Sequence, residues 1–426
     1  MWKLLTHQMG VCLFLTLFST IARAESGLFG DGQIISLNGA VARTLARNPE
    51  LVAFGYQFQA QDGRVLDAGL APHPELSLTV ENALGTGEFT GFDGAETTLS
   101  IAWVLEHGVR QRRLETARAG VSLLEVEADI MRLNAAAETA RLFFSCLSNQ
   151  AQIVNAGEAV QLAQETVRAV KKRVQAGKSP QAELARAQAE LARLKLNQED
   201  FEHELLSASR RLAAQWGETE PGFKRVSGDI LSLPTTDSYA TLKTRIERNP
   251  NIARFLSKQR VDEAELRLAE AQRKQSWRVS AGVRRLEITD DEALVANLTI
   301  PLALRNRNQG GIAEARANLA QTDANAVAAR IRVETSLFVI YQELQHSLHR
   351  AKAFRDDVIP HLEQALADTR NAYELGRYSY FEWHTVQKDL LEARRALVEA
   401  SVDAHKNTIE IERLTGVRIA QPTISP

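Results

Sequence analysis

The sequence predicts a mainly α-helical protein with four short β-strands, built as two copies of one unit. Three observations carry this reading. The first is a run from Arg110 to Gly177, inside a proline-free stretch between Pro74 and Pro180, in which apolar or small side chains recur at alternating three- and four-residue steps: Leu114, Ala117, Val121, Leu124, Ala128, Met131 and Ala135. That is the spacing of a coiled-coil seam. At 1.5 Å per residue an unbroken helix of this span would be roughly 100 Å long. Such a helix needs neighbours of similar length, so the protein should be a long bundle or tube.

The second observation is an echo about 200 positions later. Ile312, Ala315, Leu319, Thr322, Ala326, Ala329, Val333, Ser336 and Ile340 repeat the spacing. Arg47-Asn48-Pro49 answers Arg248-Asn249-Pro250, and Gly177, Ser179, Glu183, Gln188 and Leu191 answer Gly376, Ser379, Glu382, Gln387 and Leu390. A chain that repeats itself at this distance is a tandem duplication, each copy one structural half. The boundaries that follow are 25–217 for the first repeat, 218–238 for an irregular connector with Pro221, Gly222, Gly228 and Pro234, 239–416 for the second repeat, and a loose tail over 417–426.

The third is a change of period between the helices of each copy. Leu76, Leu78 and Val80 alternate with Ser77, Thr79 and Glu81; after a loop rich in glycine and acid, Leu99, Ile101, Trp103 and Leu105 alternate with Thr98, Ser100, Ala102 and Val104. The second copy repeats this with Trp277, Val279, Ala281 and Val283, then Leu294, Ala296, Leu298 and Ile300. Each pair reads as a hairpin, over about 75–105 and about 276–304. Each strand is close to the length of a tilted membrane strand. Four strands are too few to close a membrane barrel, whose minimum is about eight, and open edges are not tolerated in lipid. A membrane reading therefore requires a barrel shared between subunits, whereas a soluble β-domain would show the same alternation.

The remaining elements follow in order. Ser36 to Gly69 is predicted as a first helix, capped by Ser36 or Asn38 and interrupted at Asn48-Pro49. Each hairpin is followed by a long helix, a tight turn and a returning helix. The turns are Ala176-Gly177-Lys178-Ser179-Pro180 and Leu375-Gly376-Arg377-Tyr378-Ser379, and Pro360 breaks or kinks the second descending helix.

Residues 1–24 read as a secretory signal, with Lys3 at its start, an apolar core from Val11 to Phe18 and a small-x-small site at Ala22-Arg23-Ala24. Cys12 lies within that core, far from the cleavage position, so no lipid attachment is predicted. Its removal leaves Cys146 as a small packed residue. No later segment has the roughly 18 consecutive apolar residues of a membrane helix. The formal net charge is -2 and the pI near 6.5, which provides no basic face for nucleic acid.

Signal, duplicated halves, one hairpin per half and coiled-coil seams together resemble the TolC-like outer-membrane efflux family over nearly the whole mature chain. Leu99-Ser100-Ile101 with Leu105-Glu106-His107-Gly108-Val109-Arg110-Gln111-Arg112 resembles that family's first strand-to-helix junction. Ile300-Pro301-Leu302 with Arg305-Asn306-Arg307-Asn308-Gln309-Gly310-Gly311-Ile312-Ala313-Glu314-Ala315 resembles its second. The latter form is most similar to the CzcC-like branch serving heavy-metal cation efflux.

The resemblance implies a homotrimer in which three protomers each give four strands to one twelve-stranded outer-membrane β-barrel, above a periplasmic α-barrel of coiled-coil helices. It also implies a periplasmic adaptor of the membrane-fusion type and an inner-membrane pump of the RND type as partners, with a passive channel. Carried over by position, Gly177, Ser179, Gly376 and Ser379 at the hairpin tips would meet the adaptor, and Tyr373, Arg377 and Glu382 would form a periplasmic gate. Three copies of Glu382 around an axis would repel one another and attract cations. Thr385 stands where some members carry a second acid.

No catalytic constellation is present, and no cofactor or metal site is assigned: Gly177-Lys178-Ser179 lacks the upstream glycine of a phosphate loop, and His346 and His349 have no third ligand at a suitable local spacing. A drug-efflux or type I secretion duct of the same fold remains an alternative. So does a soluble periplasmic coiled-coil adaptor or structural protein.

Overall fold

The computed structural model describes residues 34–302, 308–417 and 419. The signal expected over 1–24 and the Arg305-Asn306-Arg307 part of the second junction lie outside the described residues.

A short strand β1 (Ile34–Ile35) leads into α1 (Leu37–Arg47), whose N-cap Ser36 accepts a hydrogen bond from the Gly39 amide. The predicted first helix is two helices. Asn48 leaves helical geometry ahead of Pro49 and caps α2 (Pro49–Gly69), its side chain accepting from the amides of Glu50 and Leu51. Then come β2 (Glu75–Glu81), β3 (Glu96–Leu105), and α3 (Val109–Gln175), one unbroken helix of 67 residues. The returning helix α4 (Gln181–Ala214) completes the first half.

The second half runs α5 (Tyr239–Arg245), α6 (Pro250–Ala271), β5 (Trp277–Leu286), β6 (Asp291–Thr299), α7 (Gln309–Ala353), α8 (Ile359–Glu374) and α9 (Tyr380–Thr415). Between α7 and α8 the predicted break is a π-helical turn, Phe354–Val358, in which the Ile359 amide reaches back five residues to the Phe354 carbonyl. Pro360 has no N–H to give to the preceding turn, and the wider turn accommodates its ring without ending the helix.

The connector is more ordered than its composition predicts. Arg225–Val226 forms a strand, β4, parallel to β1, and Phe223, Val226 and Ile230 are buried in the largest core with Phe143, Leu147, Leu212 and Trp216. His405 of α9 stacks on Phe144 at 4.3 Å between ring centres, with Nε2 3.3 Å from the Ile230 carbonyl. The connector therefore straps α3 and α9 together. The tail, expected to be loose, begins with Ile419 buried against Val41, Ala137 and Ile409. Cys146 is buried in the same largest core, and burial pushes its thiol up to about 11.

The repeated Arg-Asn-Pro triplet is a joint. Asn48 caps α2 with its Oδ1 while its Nδ2 donates to the Gln215 carbonyl at the end of α4, at 2.8 Å. Asn249 does the same one repeat later, capping α6 and donating to the Leu414 carbonyl of α9 at 2.9 Å. One amide thus satisfies a helix start and a helix end at once. A second equivalent pair ties the helices nearer the sheet. Gln61 of α2 donates to the Ala117 carbonyl of α3, and buried Asp262 of α6 accepts from Thr322 of α7 at 2.6 Å and from Lys258.

The four long strands form one sheet in the order β2-β3-β5-β6, all neighbours antiparallel. The register aligns the apolar positions: Leu78, Leu99, Val283 and Leu294 share one row, and Leu76, Ile101, Ala281 and Ala296 the next.

Asn249→Ala removes a cap and a buried donor together, and should lower stability by about 2–3 kcal/mol. Asn249→Asp keeps the acceptor and loses the donor, so it should fall between the two. Thermal melts followed by the helical dichroism signal would check this order; an unchanged melt for Asn249→Ala would remove the joint from the account.

Candidate functional site

Two regions carry the sequence-predicted functional residues or the surfaces they imply: the tips of the helical hairpins and the two faces of the sheet.

At each tip the helix ends in the same way. Gly177 adopts φ +67° and Gly376 φ +77°, left-handed values that a side chain disfavours. The Gly177 amide donates to the Val174 carbonyl and the Lys178 amide to Arg173; the Gly376 and Arg377 amides donate in the same way to Tyr373 and Ala372. These are paired Schellman closures. Beyond the second closure Ser379 caps α9 in a full capping box: its hydroxyl accepts from the Glu382 amide, and the Glu382 carboxylate accepts from the Ser379 amide at 2.7 Å and its hydroxyl at 2.9 Å. Glu382 is exposed, yet both contacts hold its carboxylate against its own helix start. Arg377 is also exposed.

Tyr373 is only 1% exposed. Its ring packs on Trp383 with centres 5.1 Å apart, in a tip core completed by Val170, Leu184, Ala187 and Tyr380. Burial pushes the Tyr373 hydroxyl above its usual range and the Tyr380 hydroxyl up to about 12, so both rings are neutral at physiological pH. In this arrangement Tyr373 sits inside the protomer and does not project from it.

The residue that joins the two tips carries no specific mark in the sequence. Arg173, in the last turn of α3, donates to the Tyr373 carbonyl at 2.6 Å and the Glu374 carbonyl at 3.3 Å on the second hairpin, and to Ser179 Oγ at 3.3 Å and the Lys178 carbonyl at 3.4 Å on the first. Its guanidinium also lies 4.8 Å from the centre of the Tyr373 ring. A basic residue four positions before a helix-ending glycine is the available signal, but helix-dipole compensation alone explains a cation there. Only the fold shows that it reaches the other hairpin.

The tips also differ in surface. The second exposes Leu375, Tyr378 and Phe381, whereas the first presents Lys178 and Gln181.

The sheet has two unlike faces. One carries the aligned apolar rows, with Leu76, Leu78, Leu99, Ile101, Trp103, Leu294 and Leu298 all exposed. That face ends in polar residues at one margin, where Arg285 pairs with Glu287 and with Asp290. The opposite face is charged and internally paired. Arg284 donates to Glu96 at 2.7 Å, to Thr98 Oγ1 at 2.9 Å and to Glu81 at 3.2 Å, and Arg278 donates to Glu75 at 2.5 Å. Strands β2 and β6 are the free edges of this sheet.

Residues 40–218 match the model of the family described as outer membrane efflux protein. The cobalt-zinc-cadmium resistance protein CzcC of Cupriavidus metallidurans is 24% identical over 382 residues, covering 90% of each chain. The nickel-cobalt-cadmium resistance protein NccC of Alcaligenes xylosoxydans is 24% identical over 336 residues, covering 74% of this chain and 72% of that one. Among solved structures, CusC superposes with a TM-score of 0.75 at 16% identity, covering 90% of this chain and 92% of that one. The outer membrane protein VceC of Vibrio cholerae superposes with 0.72 at 18%, covering 90% and 97%. The fold is that of these proteins: long helices joined to a four-stranded sheet.

Arg173→Ala should free the two tips from each other. Charge-assisted hydrogen bonds are worth about 1.5–3 kcal/mol, so limited proteolysis within 176–179 and 375–378 should speed up by about tenfold or more. Arg173→Lys should restore only part of the protection, because an ammonium lacks the planar fork that spans both tips. Equal cleavage of all three proteins would show that Arg173 holds nothing.

Proposed function

From the match of residues 40–218 to the outer membrane efflux protein family, we propose that three copies of this chain form an outer-membrane duct that passively carries heavy-metal cations delivered by an inner-membrane pump and a periplasmic adaptor. The observation that carries the reading is the sheet: apolar residues on one face, arginine and glutamate on the other, and two unpaired edges. An exposed apolar face is costly in water and favourable in lipid. The open edges are forbidden in lipid unless another strand pairs with them. Joining β6 of one copy to β2 of the next satisfies every backbone group and, with three copies, gives twelve strands around a polar lumen.

In this arrangement the apolar rows face outer-membrane lipid, and the Arg285 margin marks the polar boundary of the bilayer. The exported chain is the product of signal removal after residue 24, and the duplicated units 25–217 and 239–416 are the two halves of each sector. Heavy metal as cargo draws support from relatives named for cobalt, zinc, cadmium and nickel resistance. The adaptor meets the tips at Gly177, Ser179, Gly376 and Ser379, and the apolar Leu375, Tyr378 and Phe381 beside the second tip give it a surface to bury.

Tyr373, Arg377 and Glu382 form the gate region. Tyr373 acts there by fixing the second hairpin, through Trp383 and through the Arg173 contact to its carbonyl, while Arg377 and Glu382 stand exposed. The threefold axis would gather three Glu382 carboxylates. Glutamine can also serve at the third position of a capping box, so Glu382→Gln separates charge from capping. The variant should conduct more, with weaker block by divalent cations, in planar bilayers. Unchanged conductance and block would leave Glu382 with the cap alone.

The experiment for the whole reading joins three readouts: the mass of the detergent-extracted protein, single-channel recording in a lipid bilayer, and growth of a deletion strain on cobalt, zinc, cadmium and nickel. A conducting trimer whose loss sensitises cells to these metals is expected. A water-soluble monomer without conductance would overturn the duct, and drug sensitivity without metal sensitivity would replace the cargo.

A further inference from the structure

The sheet carries unpaired charge of opposite sign at its two ends. At the end away from the helices lie the loop from β2 to β3 and the turn from β5 to β6. There Glu88, Asp93, Asp291 and Glu292 are exposed and enter no ion pair among the described residues, while Arg284 and Arg285 are each answered by two acids.

At the end beside the helices the signs are reversed. Arg112, Arg113 and Arg278 pair with Glu115, Glu106 and Glu75. Three further cations are left over: Arg110 in the first turn of α3, and Arg273 and Lys274 in the turn that joins α6 to β5. All three are exposed, with no ion pair or side-chain hydrogen bond among the described residues. The first turn of α3 holds no acid, although helix polarity favours one there. A surface cation in water needs no partner. Separation of unpaired charge by sign across one apolar face is a different matter, since it matches an anionic layer at one end only.

Tryptophan marks the basic end alone. Trp103 and Trp277 stand on the apolar face, 43% and 40% exposed, with Trp277 opposite Leu105 in the last row of the β3–β5 ladder. His107 continues that face. Its ring lies edge-on to Trp277 with centres 4.9 Å apart, and its Nδ1 is 3.0 Å from the carbonyl of Gln275, the residue after Lys274. Neither 82–95 nor 287–292 contains a tryptophan.

Indole favours the boundary between hydrocarbon and headgroups, where its ring is apolar and its N–H can donate, and lysine or arginine beside it meets lipid phosphate. The height agrees. Trp277 and Arg285 lie on the same face of β5, about 27 Å apart along a strand that rises ~3.4 Å per residue. A tilt of roughly 40° turns this into a height of about 21 Å, close to the ~25 Å apolar band of membrane barrels.

We propose that Arg110, Arg273 and Lys274, beside Trp103, His107 and Trp277, bind the phosphate of anionic phospholipid headgroups in the leaflet nearest the helices. This rests on the membrane reading of the sheet given above, and adds a lipid ligand, its class and the residues that hold it. Phosphates held at this margin fix the depth of the sheet, so that the helices begin where the membrane ends.

The test uses the full chain extracted in detergent and stripped of lipid. Native mass spectrometry reads the retention of added phosphatidylglycerol against phosphatidylcholine with the same acyl chains, whose headgroup has no net charge. Phosphatidylglycerol should be retained about tenfold more strongly, and the preference should shrink as salt rises. Arg110→Gln combined with Arg273→Gln and Lys274→Gln should abolish the preference while leaving helical signal and native mass unchanged. Arg285→Gln, at the opposite end, should keep it. Equal retention of both lipids, or an undiminished preference in the triple variant, would overturn the site and leave the membrane reading standing. Loss of the preference in Arg285→Gln would place the phosphate at the wrong end, and displacement of the lipid by excess inorganic phosphate would reassign the site to free anions. A protein that stays monodisperse without detergent and retains neither lipid would remove both the site and the membrane reading.

Discussion

The governing constraint is that a backbone amide or carbonyl in hydrocarbon must be paired. A sheet of four strands cannot meet it alone, because β2 and β6 each turn a row of unpaired groups outward. In the proposed duct the chain is therefore one sector of the structure and not the whole, and other features follow. In the proposed duct the apolar rows are exposed because their solvent is lipid, and the paired arginines and glutamates lie opposite because that face is turned to water. The helices inherit the same open-ended order, α2 and α7 standing where β2 and β6 stand.

What lets a sector serve as a building block is its near-symmetry. Asn48 and Asn249 make the same joint in each half, binding the start of one helix to the end of another through a single side chain. The duplicated joint repeats the same contact between a helix start and a helix end in each half. Where the halves depart from symmetry, the departure has a local role. Arg173 at the first tip has Ala372 as its counterpart, so one guanidinium holds both hairpins from one side. The π-turn before Pro360 widens only the second descending helix.

Much of this is legible in the sequence because it is periodic. The seam from Leu114 to Ala135, the alternation in the strands and the glycine at each tip are local patterns with one physical reading each. The interruption of the first helix at Asn48-Pro49 is legible too, since proline disfavours helix in the residue before it; that Asn48 both ends α1 and caps α2 follows from the same step. The connector reads as irregular because proline and glycine dominate it; β4 and the burial of Phe223, Val226 and Ile230 depend on partners far away in the chain. Analogy of position puts Tyr373 on a constricting surface, and its burial against Trp383 and Arg173 is a tertiary fact that no spacing carries. Arg173 stays hidden for the same reason.

The polar face of the sheet explains how a duct of this kind avoids trapping what it carries. Glu75, Glu81 and Glu96 each have an arginine partner on β5, so in the proposed duct a passing cation meets carboxylates whose charge is already largely answered. Conduction requires binding weak enough to release. A bare carboxylate cluster would hold a divalent ion, whereas an arginine-bridged one offers a hydrated, nearly neutral wall. In the proposed duct, selection then falls before the cargo reaches the barrel, at the tips, where Glu382 and Arg377 are exposed beside the apolar Leu375, Tyr378 and Phe381 of the second hairpin. In the proposed duct, a wall whose carboxylates are already paired suits more than one cation and leaves the choice of ion to the pump and adaptor beneath it.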